Sequence, residues 1–183
     1  MLTDTDRSTA TGTMIHSYLT GSAQHSDHSI HLLFSANRWE AIDSILYDIS
    51  KGVTVIVDRY SFSGAVYSAA KDNPNLSLSW AWAPEIGLPK PDVTIFLHIS
   101  TQDAAKRGGF GQERYETTKM QSRVRELFGE LFTKLGDGVV HNIDAGRSID
   151  EVANEVAQTV LKCVKELGTA GPLDKLKPLG AWC

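Results

Sequence analysis

The chain has 183 residues, of which 42% are hydrophobic and 22% charged, a balance that fits one compact domain and excludes intrinsic disorder. Its 18 Lys and Arg against 22 Asp and Glu leave a net charge of -4, the wrong sign for a general binder of nucleic acid or anionic membrane. A polyanionic ligand must therefore be met by local cations.

In chain order, Ile30, Leu32, Leu33, Trp39, Ile42, Ile45, Leu46 and Ile49 fall at helical spacings and stop before Gly52, which predicts an amphipathic helix with a glycine C-terminus. VTVIVDRY follows, and the β-branched run Val53, Val55, Ile56, Val57 is expected to be a buried parallel strand. A second strand, DVTIFLHIS, is introduced by Pro89-Lys90-Pro91 and followed by a polar, helix-forming stretch from Thr101 to Arg107. Thr117 to Leu135 predicts a helix with Met120, Val124, Leu127, Phe128, Leu131 and Phe132 on one face. A third strand spans Val139 to Ile143, and a helix then runs to Leu167 from Ser148 and Glu151, which have capping-box spacing. Residues 1–167 read as one domain and 168–183, with Pro172, Pro178 and three glycines, as an irregular tail.

Helices alternating with parallel strands imply an α/β fold, whose ligands gather beyond the carboxyl ends of the strands. No apolar run reaches the ~18 to 20 residues of a membrane span, and residues 1–10 are polar and lack a signal-peptide pattern. Cys163 and Cys183 have no His at metal-ligand spacing and cannot form a disulfide framework. The expectation is a reduced protein of cytoplasm or nucleus.

Asp58 and Arg59 end the first strand, where both charges would be partly desolvated; a structural ion pair and a catalytic pair are both open readings. Arg7, Arg38, Arg107 and Arg114 lie outside the apolar stripes, and guanidinium groups near a strand-end cleft suit phosphate. The loop from Arg107 to Glu116 contains Gly108, Gly109 and Gly111, so it reads either as a lid or as a surface turn. Phe34 and Arg38 are one helical turn apart and could hold a planar base between them, although Phe34 by spacing alone also suits the core. His25, His28 and His31 recur every three residues but lack a supporting carboxylate or thiolate cluster; exposed histidines at a helix start are expected, with no metal.

The strings HLLFSANRWE, DRYSFSGAVYSAAK, APEIGLPKPD and RGGFGQERYE, in this order, resemble the thymidylate kinase family of the eukaryotic, and especially fungal, type. The resemblance implies a P-loop nucleoside monophosphate kinase-like sheet with flanking helices, and transfer of the γ-phosphoryl of ATP to dTMP with Mg2+. It implies that Phe34 stacks on thymine and Arg38 hydrogen-bonds it. Arg7 and Arg59 would hold the dTMP phosphate, with Asp58 organising that arginine and a metal-bound water shell. Tyr67 would pack beneath the deoxyribose, with Ser63 and Gly64 lining the same pocket. Arg107 would lie along adenine, while Glu113, Arg114 and Tyr115 would be lid groups. A homodimer through helices near residues 30 to 50 is also implied.

The family's phosphate loop, GxxxxGK[ST], does not occur in the sequence, whose only glycine before residue 20 is Gly12. The expected sheet accordingly lacks its first, central strand and the P-loop, with no direct magnesium ligand from that loop. A partly collapsed sheet or a marginal protein follows. Besides a dTMP kinase, the alternatives are a non-catalytic dTMP-binding or interaction protein, and a fragment from an incomplete gene model.

Overall fold

The computed structural model describes residues 2–3, 6–100, 103–104, 117–135, 140–167 and 176–182, with residues 2–3 described through their backbone alone. Helix α1 (Ala10–Leu19) is capped by Thr9, whose side chain accepts the Gly12 N–H. Helix α2 (Asp27–Ser50) is capped by Ser26 on the Ser29 N–H. It stops where Gly52 takes φ 76°, the left-handed geometry that glycine adopts without a Cβ clash. Helices α3 (Ser61–Ala69) and α4 (Leu78–Trp82) follow, the latter running into a 3-10 turn at Ala83–Glu85. Helices α5 (Thr118–Leu135) and α6 (Ile149–Leu167) complete the described helices. Ser148 and Glu151 form the expected reciprocal cap at the start of α6.

Strands β1 (Leu2–Thr3) and β2 (Val57–Asp58) pair in parallel, Leu2 opposite Val57 and Thr3 opposite Asp58. Strands β3 (Thr94–His98) and β4 (Val140–Asp144) form a second parallel pair, from Thr94 opposite Val140 to His98 opposite Asp144. Among the described residues no strand joins the two pairs. This corrects the expectation of a buried strand over VTVIVDRY: only Val57–Asp58 is extended in a ladder, and Val53 and Ile56 are 51% and 58% exposed. A strand is buried only when neighbours flank it and layers cover its faces, and β2 has β1 as its described partner on one side.

The main core lies between α3, α4 and α5, where Phe62, Val66, Leu78 and Trp82 meet Val124, Leu127, Phe128 and Leu131. Phe96 of β3 packs on Phe128 and Phe132 with ring centroids 4.8 and 5.1 Å away, which ties the second strand pair to the α5 stripe. A smaller cluster, Ile15, Tyr18 and Ile30 with Leu33 and Phe34, holds α1 on α2. The apolar stripe of α6 is less engaged, with no residue of that helix fully buried. No described helix is long and apolar enough to cross a membrane. The polar stretch from Thr101 to Arg107 lies outside the described residues save Asp103 and Ala104.

The tail has a defined seat from 176 to 182. Leu179 exchanges backbone hydrogen bonds with Gly87 and Leu88, its carbonyl accepting from Gly87 N at 3.0 Å and its N–H donating to Leu88 O at 2.8 Å. Lys90 N donates to Lys177 O at 2.7 Å. The Leu179 side chain is buried in the main core, and Trp82 Nε1 donates to Gly180 O at 2.9 Å. The segment thus forms a short antiparallel rung along residues 87–90.

The histidines are not the exposed helix-start residues expected. His31 is fully buried, its Nδ1 2.8 Å from Ser68 Oγ, and its Nε2 has no hydrogen-bond partner. His28 Nε2 lies 3.1 Å from Asn75 O, and its ring meets Trp80 edge-on at 4.5 Å. The three-residue spacing turns this face of α2 toward α3 and α4, so it is core rather than solvent. Burial first, then the Arg38 charge, hold His31 down at about 4.

Two stability predictions follow from this packing. Leu179→Ala is expected to lower the urea midpoint by an amount worth about 2–5 kcal/mol, whereas Leu161→Ala, on the open face of α6, is expected to stay within about 0.5 kcal/mol; equal effects would show that the tail rung contributes nothing. For His31, the unfolded chain takes up a proton near pH 6.5 while the folded chain does so near 4, so stability falls as pH drops across that window, by up to about 3 kcal/mol. Unfolding His31→Gln at pH 4.5 and pH 7 is expected to show a smaller pH difference than the parent chain.

Candidate active site

Because β1 and β2 are parallel and in register, their carboxyl ends, at Thr3 and Asp58, lie side by side. Arg7 and Arg59 follow those two strands, and both are exposed. Arg59 has φ 63°, an uncommon geometry for a residue with a Cβ and one that marks a constrained turn. Its guanidinium carbon lies 5.7 Å from the centre of the Tyr67 ring, which links the strand end to the middle of α3. Asp58 is exposed, and no ion pair joins it to Arg59 among the described residues. The expectation of two desolvated charges ending a buried strand is therefore corrected, because the two-residue β2 leaves its end in solvent.

By sequence Arg38 belongs with the arginines outside the apolar stripes; in the fold it is 3% exposed and sits against Glu85, which is 0% exposed. Its Nε donates to Glu85 Oε2 at 2.8 Å and an Nη to Oε1 at 2.5 Å, a two-pronged pair in which each charge compensates the other's loss of water. Gly64 makes room for this guanidinium: a Cβ there would lie 2.7 and 2.9 Å from its two terminal nitrogens. Tyr60 donates to Pro89 O at 3.2 Å, and burial, then the Glu85 charge, raise its phenol above the usual range. Phe34 is half-buried against the Ile15, Tyr18, Ile30 cluster, one turn before Arg38. Ser63 and Tyr67 are half-buried on α3.

The structure thus brings together Arg38 of α2 with Gly64 of α3, and Arg59, in the turn after β2, with Tyr67 of α3. Arg7 is carried by a turn fastened to α2 through Asn37, which is 2% exposed. Asn37 Oδ1 accepts the Asp6 N–H at 2.9 Å, and its Nδ2 faces the Thr9 and Thr11 hydroxyls, each at 2.8 Å. Arg107, Glu113, Arg114 and Tyr115 lie outside the described residues. Sequence reasoning passed over Glu85 and Asn37. Both stand inside quoted motifs, and Asn37 shares the helical spacing of Phe34 and Arg38; what was missing is the knowledge that this face is buried.

No group of three or more His, Cys, Asp or Glu among the described residues could hold a metal ion. Cys163 Sγ lies 3.8 Å from His141 Nε2, a contact between α6 and β4 remote in sequence from the strand-end arginines.

Comparison with known proteins bears on the family to which the chain belongs. The family described as thymidylate kinase matches residues 1–156. A thymidylate kinase of Dictyostelium discoideum is 46% identical over 83% of this chain and 66% of its own length. One of Arabidopsis thaliana is 44% identical over 93% of this chain and 62% of its own, so the chain spans less than two thirds of either relative. A human thymidylate kinase is 46% identical over 82% of this chain and 70% of its own. The solved thymidylate kinase of Candida albicans superposes with a TM-score of 0.82, at 32% identity, covering 97% of this chain and 84% of that one. With a two-stranded parallel edge delivering two arginines, a helix carrying Phe34 and Arg38, and matches of this extent, the chain belongs to the thymidylate kinase family.

Proposed function

We propose that this chain recognises dTMP and acts in the phosphoryl transfer from ATP to dTMP that yields ADP and dTDP. What supports this reading is the parallel register of β1 and β2, after whose carboxyl ends Arg7 and Arg59 follow, together with the contact of Arg59 with Tyr67 and of Arg38 with Gly64. Two exposed guanidinium groups suit a phosphate dianion. Phe34 offers a ring face to thymine, and the Arg38 guanidinium, held immobile by Glu85, offers directional donors to the base. Tyr67, half-buried beneath Arg59, would fill the space under the sugar. Ser63 would line the pocket beside Gly64.

Phosphoryl transfer asks the protein mainly for positioning and charge neutralisation. Arg107, Glu113, Arg114 and Tyr115 are proposed to close over ATP and substrate and exclude water. The exposed Asp58 carboxylate fits a hydrated magnesium ion held chiefly by phosphate oxygens and water. When bound, that ion neutralises charge between the β- and γ-phosphates. The exposed Leu32, Trp39 and Tyr47 on α2 are proposed to face a second copy of the chain in a homodimer.

A second reading, dTMP binding without turnover, is favoured by one fact: no GxxxxGK[ST] string occurs in these 183 residues, so the amide cradle for β- and γ-phosphates has no source in them. Calorimetry with dTMP, run beside a coupled assay of ADP formation with dTMP, ATP and Mg2+, separates the two. Heat on dTMP binding together with magnesium-dependent ADP supports the kinase, binding without ADP supports the second reading, and absence of both refutes each. Arg59→Ala is expected to weaken dTMP binding by roughly 10- to 100-fold, the worth of a charged hydrogen bond to phosphate, with little change in thermal unfolding because Arg59 is exposed.

A further inference from the structure

Asn37 has the setting of a working residue and no place in the reading above. Its amide is buried in the seam between α2 and the turn preceding α1, and both ends of it are used. Oδ1 takes the Asp6 N–H at 2.9 Å. Nδ2 has two hydrogens but four acceptors within reach: Thr9 Oγ1 and Thr11 Oγ1 at 2.8 Å, Glu40 Oε2 at 3.2 Å and Asp6 O at 3.3 Å. An amide bonded at both ends fixes the relative position of the two segments it joins far better than an apolar contact does.

The turn it holds is itself tightly wound. Asp6 Oδ1 accepts from Ser8 N at 2.9 Å and Ser8 Oγ at 2.6 Å, and Thr9 Oγ1 accepts the Gly12 N–H at 3.1 Å. From the other side α1 presses on it so closely that a Cβ on Gly12 would fall 1.8 Å from the Asp6 carbonyl oxygen and 2.8 Å from Arg7 Cα. The Asp6 N–H and carbonyl and the Ser8 N–H, on either side of Arg7, are thus anchored, while Arg7 itself is exposed. That combination is what a pre-positioned anion contact requires: a fixed base and a free charged head.

We propose that Asn37 is a positioning residue for the substrate's phosphate: by pinning the Asp6–Thr9 turn to α2, it fixes the point from which Arg7 reaches the phosphate of dTMP. The proposal rests on the dTMP reading above. It assigns two adjacent residues of one helix to opposite ends of the nucleotide. Arg38, turned toward Glu85 and Gly64, serves the base end; Asn37, turned toward the Asp6–Thr9 turn, serves the phosphate end.

The test compares thymidine with dTMP, which share base and sugar and differ in the phosphate. Asn37→Ala is expected to weaken dTMP binding by about tenfold or more, as for loss of bonds to a charged-ligand contact, while thymidine binding stays within about twofold of the parent chain. Gly12→Ala, which shifts the same turn with Asn37 intact, is expected to give the same selective loss and keeps the proposal testable if Asn37→Ala does not fold. In an Arg7→Ala background, Asn37→Ala is expected to lower the dTMP preference no further, since the group it positions is gone. Equal weakening of thymidine and dTMP, no weakening of either, or full additivity with Arg7→Ala would each overturn the positioning role. A parent chain that binds neither nucleoside nor nucleotide would overturn the dTMP reading itself, and that result is recorded before any variant is made.

Discussion

Two opposite charges buried to within a few per cent of complete, Arg38 and Glu85, cannot exist apart. Removing either would strand the other in a medium that solvates it poorly, at a cost of several kcal/mol, on the order of 3–5. The pair therefore dictates where its carriers sit. Helix α2 must lie so that Arg38 reaches the 3-10 turn after α4, and α3 must present a glycine, Gly64, at the crossing. The turn at 83–85 is in turn continuous with residues 87–90, along which the tail rung is laid. A buried ion pair of this kind adds little net stability over apolar residues of equal volume. What it adds is a guanidinium held in one orientation, and that matters only where the orientation is used.

Helix α2 acts as the ruler for the whole site. Its 3.6-residue period sets Phe34, Asn37 and Arg38 within one turn, and each is held by a different neighbour: the α1 cluster, the Asp6–Thr9 turn and Glu85. Mounting three arms on one rigid helix keeps their separations constant whatever the surrounding loops do. Helix α3 contributes the opposite wall, where Arg59 over Tyr67 joins strand end to helix. The His31 to Ser68 contact, about two turns before Asn37 and Arg38 on the same helix, fastens α2 to α3 from within.

The long helices and the strands β3 and β4 were legible because each carries a run long enough for its period to show. Gly52 and the Ser148–Glu151 cap are local chemistry and were equally legible. Helices α3 and α4 were not read from period: DRYSFSGAVYSAAK mixes small and polar residues, and its apolar positions make sense only against α2, α4 and the sequence-distant α5. VTVIVDRY misled for a related reason. A β-branched run states that a segment tolerates burial on both faces, yet exposure depends on which strands lie beside it, and its first residues have no described neighbour. In the site, charge was legible and burial was not. Arg38 and Arg59 look alike as letters; one is locked to Glu85 and the other is exposed, and only the fold distinguishes them.

Two backbone features, rather than side-chain chemistry, shape the region proposed to take the phosphate. Arg59 holds φ 63°, a geometry that costs a residue with a Cβ on the order of 1 kcal/mol or more, and Gly12 admits the Asp6 carbonyl where any Cβ would collide. Both lie beyond the carboxyl ends of the parallel strands β1 and β2, next to the two arginines that the proposed dTMP reading assigns to the phosphate. If the two arginines were merely surface charges, neither bend would be required: Arg59 could relax into the β region, and α1 could sit a little farther from the Asp6–Thr9 turn without losing the apolar contacts of Ile15 and Tyr18 with Ile30. The strained turn and the close approach instead fix the origin of each guanidinium, which on the proposed dTMP reading lets two long side chains meet one anion with little further loss of entropy.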